Sequence, residues 1–149
     1  IKDKPAIYLL ATYKPLREIV RELQIKMARL LEDEYFEKLK MDNDLESLFV
    51  EFIKFLRKSK ISRKVIICID EFPFLIQRDK GIVTIFQKIW DEYLRKENIM
   101  LVLLGSSVSM METEVLGYRS PLYGRRTGQW LVEEFKISSL ANYFRKYSK

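Results

Sequence analysis

Three short runs in this chain are apolar at every position: AIYLLA at residues 6–11, VIICI at 65–69 and IMLVLL at 99–104. Strands that read as continuously apolar are buried on both faces, and such strands belong to parallel sheets with helices packed over them. The intervals between the runs carry the matching helical patterns. Leu16, Ile19, Val20, Leu23, Met27, Leu30 and Leu31 recur at steps of three and four, which predicts one long amphipathic helix with Pro15 in its first turn, ending near residue 40. Asn43 and Glu46 have capping-box spacing, and Leu45, Leu48, Phe49, Phe52, Ile53 and Leu56 predict a second helix reaching about residue 58. Gly81 opens a third, striped by Ile82, Ile85, Phe86, Ile89, Trp90, Tyr93 and Leu94.

Beyond the third apolar run, Ser109 and Glu112 repeat the capping-box spacing and predict a short helix over 109–116. SPLYGRRTGQ at 120–129 reads as a loop, 130–137 as a last strand, and 140–147 as the beginning of a helix. Strands alternating with helices define an α/β fold, with a parallel sheet flanked by helices on both faces. No internal repeat or shift of composition marks a second domain, so residues 1–149 read as one.

Two scarcities narrow the chemistry. The chain has no His, which removes His-based catalytic triads and His-bearing zinc sites. Its one cysteine, Cys68, lies inside an apolar run, excludes an internal disulfide framework and fits a reducing, cytoplasmic setting. No apolar stretch approaches the roughly 18 residues of a membrane span, and the N-terminus, which begins at Ile1, lacks the regions of a signal peptide. No membrane association is expected.

The formal charge of +6 is local in origin. Residues 54–64 contribute Lys54, Arg57, Lys58, Lys60, Arg63 and Lys64 with no acid, and 21 basic residues face 21 acids elsewhere. Such a patch tracks phosphates in a nucleic-acid-binding module, or it is the solvated end of a helix whose cations complement the dipole.

In parallel α/β sheets ligands sit outside the carboxyl ends of the strands. Three places in this sequence put polar residues there: Thr12 and Tyr13, Asp70 and Glu71, and Ser106 and Ser107. VIICIDEF at 65–72 carries the strongest signal, since four or five apolar β formers followed by Asp-Glu match the Walker B motif of AAA-like and STAND-type ATPases. The first carboxylate can hold Mg²⁺ through its water shell, and the next can polarise the water that attacks the γ-phosphate. The alternative is a buried strand that exits into two solvated acids. Ser106 or Ser107 stands where a sensor residue follows the next strand, or else caps the following helix. Arg125 and Arg126 either neutralise phosphate charge or belong to a solvated basic loop.

The succession VIICIDEFPFLI, FQKIWDEYL, IMLVLLGSSVSMMETEVL and YRSPLYGRRTGQW resembles the archaeal ATPase family of P-loop NTPases, relatives of the STAND and AAA-like groups. The resemblance implies a P-loop fold of the ASCE type that uses ATP and Mg²⁺. It implies that Asp70 is the metal carboxylate, Glu71 the water-activating base, Ser106 or Ser107 the sensor, and Arg125 a phosphate or intersubunit contact in a homo-oligomer. It also implies DNA association through a flanking domain.

One departure stands out. The family's phosphate-binding GxxxxGK[ST] is absent, because no glycine precedes Gly81 and none of the five glycines is followed by Lys. Without those backbone amides and that lysine a triphosphate loses most of its ligands. The expectation is therefore an ATPase domain lacking its first strand and P-loop, inactive by itself. An assembly domain with a non-hydrolysing NTPase fold is the remaining alternative.

Overall fold

The computed structural model describes residues 4–41, 44–134 and 144. Its centre is a three-stranded parallel sheet in the order β1 (Ala6–Leu10), β2 (Val65–Asp70), β3 (Ile99–Leu103). The register sets Ile7 level with Ile67 and Leu9 level with Ile69, and on the other side Ile67 level with Leu101 and Ile69 with Leu103. Because side chains alternate along a strand, this register collects Ile7, Leu9, Val65, Ile67, Ile69 and Ile99 on one buried face.

Helices α1 (Leu16–Leu31), α3 (Leu45–Lys58), α4 (Phe72–Arg78) and α5 (Ile82–Lys88) contribute their apolar stripes to the same core. Helices were expected on both faces; among the described residues the core lies on one. The opposite face carries Tyr8, Leu10, Met100 and Leu104, all more than two-fifths exposed. Cys68 on that face is buried between its neighbours, and burial pushes its thiol up, leaving it an inert packing residue.

Local departures from expectation have local causes. The long first helix is broken: Glu32 adopts a left-handed conformation at φ 54°, and Asp33 then caps α2 (Glu34–Lys38), accepting from the Phe36 amide at 2.9 Å. Gln24 stabilises that break from inside the core, donating to the carbonyls of Phe36 and Leu39 at 2.9 Å each. Asn43 lies outside the described residues, and the observed cap of α3 is Asp44, which accepts from the amide and hydroxyl of Ser47 at 2.8 and 2.9 Å. Glu46 instead accepts from Lys88 at 2.8 Å and from the Tyr93 hydroxyl at 2.9 Å. Those contacts tie α3 to the end of α5 and the turn after it, and the hydrogen bond to the Glu46 carboxylate pushes the Tyr93 phenol up to about 12.

The third expected helix begins as expected with α5 but is α-helical only to Lys88, and α4, ahead of it, was not expected. Helix α4 follows Glu71 at once, and after α5 the chain widens into a π-helical turn at Ile89–Tyr93 and a 3₁₀ turn at Leu94–Lys96. After β3 the helix begins at Val108, so Ser109 is already inside it and forms no capping box; Met111–Leu116 is π-helical. Residues 130–134 form no strand. The rest of that expected strand, and all of the expected final helix except residue 144, lie outside the described residues.

Replacing Asp44 by Ala removes the acceptor for the first turn of α3. The expected loss is about 1 kcal/mol, measured by urea unfolding at neutral pH.

Candidate functional site at the carboxyl end of the sheet

Strand β2 delivers its two carboxylates by different means. Asp70 is its last residue, half-buried and paired with Leu10 across the ladder. Glu71 leaves the strand in a left-handed conformation, φ 53° and ψ 40°. That backbone costs a non-glycine residue about 1 kcal/mol or more and persists only where its surroundings hold it. Here the chain is hooked immediately afterwards: the Phe72 amide donates to the Leu104 carbonyl at 2.8 Å, and Pro73 opens α4. Phe72 then anchors the turn in the core, edge-on to Phe86 at 5.1 Å between ring centroids.

Each carboxylate is met by a hydroxyl from a different neighbouring segment. Tyr8 on β1 donates to Asp70 Oδ2 at 2.5 Å, while Asp70 Oδ1 accepts from the Glu71 amide at 2.9 Å. The Tyr8 phenol is raised above its ordinary value, first by this bond and then by desolvation, so it remains a protonated donor at neutral pH. Just past β3, Ser106 donates to Glu71 Oε2 through its hydroxyl at 2.9 Å and its amide at 3.3 Å. Ser107 makes no such contact; its carbonyl accepts from the Met111 amide at 2.9 Å, and its side chain does not cap the helix it precedes. Of the two serines, Ser106 is the one beside a carboxylate.

Between β3 and Ser106 lies Gly105, and its lack of a side chain is structural. A Cβ there would stand 2.5 Å from Cδ and 2.6 Å from Cγ of Pro73. The glycine therefore lets the end of β3 close against the start of α4, which brings Ser106 to Glu71. The loop after β1 closes the site from the other side. The Ala11 amide donates to the Asp70 carbonyl at 2.8 Å, the Tyr13 ring packs 4.6 Å from Phe74, the Tyr13 hydroxyl meets Gln77, and Arg78 donates to the Tyr13 carbonyl at 3.2 Å.

The remaining candidates lie elsewhere. Arg125 grips Asp91, its Nε at 2.9 Å from both carboxylate oxygens and an Nη 2.7 Å from Oδ2, and it donates to the Pro121 carbonyl at 2.7 Å. Arg126 donates to the Leu116 carbonyl at 3.1 Å and lies over the Tyr123 ring. Both arginines fasten the 120–129 loop to the body of the protein.

The basic residues of 54–64 precede the amino end of β2, a strand length of roughly 17 Å from Asp70. Lys54 pairs with Glu51 at 2.6 Å and Arg57 with Glu97, while Lys58, Lys60, Arg63 and Lys64 are exposed. Lys54 and Arg57 are thus engaged with acids of the same chain. Tyr8 escaped sequence reasoning because it looks like one more apolar strand residue. Its cue is the polar tip of a tyrosine, but only the β1–β2 register names the partner.

Among the described residues no group of three or more His, Cys, Asp or Glu could hold a metal ion, and no helix is long and apolar enough to cross a membrane. With this geometry in place, comparison with known proteins is informative. An ATPase domain family found predominantly in Archaea matches residues 6–149, and the chain belongs to that family. It is similar to two uncharacterised proteins of Methanocaldococcus jannaschii. With MJECL04 it shares 46% identity over 81 residues, 54% of this chain and 18% of the relative. With MJ0424 it shares 34% identity over 96 residues, 64% of this chain and 87% of the relative. The chain thus spans under one fifth of the first relative and most of the second.

Replacing Gly105 by Ala forces the Pro73 ring and the end of β3 apart. The expected destabilisation is about 1–3 kcal/mol, measured by denaturant unfolding. The Asp91 carboxyl is held below its usual value by its bond to Arg125. A depressed folded-state value stabilises above the unfolded value near 3.9. The stability difference between the parent and Asp91→Asn is therefore full at neutral pH and closes as pH falls through the depressed value. Urea midpoints measured between pH 7 and pH 2 check the sign.

Proposed function

We propose that this chain carries the hydrolytic half of an ATP-hydrolysing site in a larger archaeal-type ATPase. In this reading Asp70 is the Mg²⁺ carboxylate, acting through water, Glu71 is the general base, and Ser106 is the sensor serine. The observation that supports it is the pair of carboxylates at the end of the central strand, each held by a hydroxyl from a different side.

The donor set fits Mg²⁺. That ion favours oxygen ligands, retains several waters, and is held by one or two carboxylates together with substrate phosphates rather than by an all-protein cage. When bound, the ion would neutralise charge on the β- and γ-phosphates. Asp70 is held through both oxygens and in this reading uses its remaining lone pairs to accept from metal-bound water.

Ser106 donates to Oε2 of Glu71, and in this reading the carboxylate accepts a proton from an attacking water. Ser106 restrains that carboxylate while keeping a hydroxyl able to reorient toward substrate. A GxxxxGK[ST] segment, with its phosphate-cradling amides and lysine, is not among these 149 residues; in this reading other sequence of the complete protein supplies those ligands. Residues 1–149 would then form part of one ATPase domain. Arg125 serves as a loop anchor through Asp91.

In the complete protein, Glu71→Gln should leave ATP binding intact and lower turnover by roughly 100-fold or more, the range for loss of a general base. Nucleotide titration and phosphate release measure the two effects separately. Turnover at the parent rate would remove Glu71 from the role of base.

A further inference from the structure

The geometry points to Tyr8 as the positioning residue that sets the Asp70 carboxylate for its metal; this inference rests on the reading of Asp70 as the metal carboxylate. Tyr8 is level with Cys68 in the ladder, on the same sheet face as Asp70 two residues further along β2. Its ring therefore reaches diagonally along the strand direction to Asp70.

Two features separate this contact from ordinary packing. Tyr8 is 48% exposed and lies outside the hydrophobic core, so burial does not compel its hydroxyl to find a protein partner, and water is available to it. Its bond to Asp70, at 2.5 Å, has the length of a charge-assisted O–H···O⁻ bond, among the stronger kinds in proteins.

The bond completes a two-point hold. The Glu71 amide fixes Asp70 Oδ1 from the backbone side, and Tyr8 fixes Oδ2 from the neighbouring strand. A carboxylate held at one oxygen still pivots about that bond, whereas one held at both has a defined plane. Roughly four lone-pair positions serve a carboxylate, so about two remain for water in a metal shell. Partners that orient metal-binding groups typically alter metal affinity 10–100-fold when removed. Since Asp70 acts through water, the lower end applies.

The test uses the complete protein with Mn²⁺ and a non-hydrolysable ATP analogue, reading free Mn²⁺ by electron paramagnetic resonance. Tyr8→Phe and Asp70→Asn are measured beside the parent. The expected result is Mn²⁺ binding weakened by roughly tenfold in Tyr8→Phe and by more in Asp70→Asn. In Tyr8→Phe, metal-free nucleotide affinity and the thermal unfolding midpoint should stay at parent values. Parent-like Mn²⁺ affinity in Tyr8→Phe with a weakened Asp70→Asn would overturn the role of Tyr8 alone. Unchanged affinity in Asp70→Asn would remove the metal role of Asp70, and the inference with it. A joint fall of Mn²⁺ affinity, nucleotide affinity and unfolding midpoint in Tyr8→Phe would assign the hydroxyl a structural role and overturn positioning.

Discussion

The parallel ladder that holds Val65–Asp70 between two neighbours determines where every group at the site can stand. Because the strand is paired on both edges, its carboxyl end is bounded on one side by β1 and on the other by the segment leaving β3. Two adjacent acids emerging there are each met from a different direction, Asp70 by Tyr8 and Glu71 by Ser106. Were β2 at an edge of the sheet, one of those hydroxyls would have no strand to bring it in. The same ladder buries Ile67 and Ile69 in the core, so apolar packing beneath the site fixes the position of the polar groups above it.

At the exit of β2 the backbone does what a less constrained segment would avoid. Glu71 is left-handed, one of two non-glycine residues with positive φ among those described. The other, Glu32, ends a helix, where that conformation commonly occurs. The Glu71 turn is held by the Phe72 amide on Leu104, by Phe72 against Phe86, and by the close fit of Gly105 to Pro73. Strain at one residue is thus offset by three contacts, each made by a residue adjacent to a candidate site residue. This is why Gly105, which carries no chemistry, matters to Ser106.

Charge is arranged with similar separation of tasks. Arg125 and Asp91 form a bidentate pair that fastens a loop, and Glu46 with Lys88 and Tyr93 joins α3 to the region after α5. The basic residues before β2 are at the opposite end of the strand from the carboxylates. The chain belongs to an archaeal ATPase domain family, and Asp70 and Glu71 stand together at the carboxyl end of its central strand.

The alternation of apolar runs with 3.6-residue stripes was sufficient to specify the parallel α/β class, because side-chain period follows directly from backbone geometry. VIICIDEF likewise marked Asp70 and Glu71 without any coordinates. Local chemistry was less legible: the capping-box spacing pointed to Asn43 whereas Asp44 caps α3, and the break at Glu32 is held by Gln24 reaching two carbonyls of the next segment. Only the tertiary structure put Ser106 rather than Ser107 against Glu71, bound Arg125 to Asp91, and set Tyr8 against Asp70. Those choices depend on register and on close approach between segments 34 to 62 residues apart, and a hydrogen bond forms only when such segments meet within about 3 Å. Sequence spacing sets which face a side chain occupies; it carries no information about which distant residue waits there.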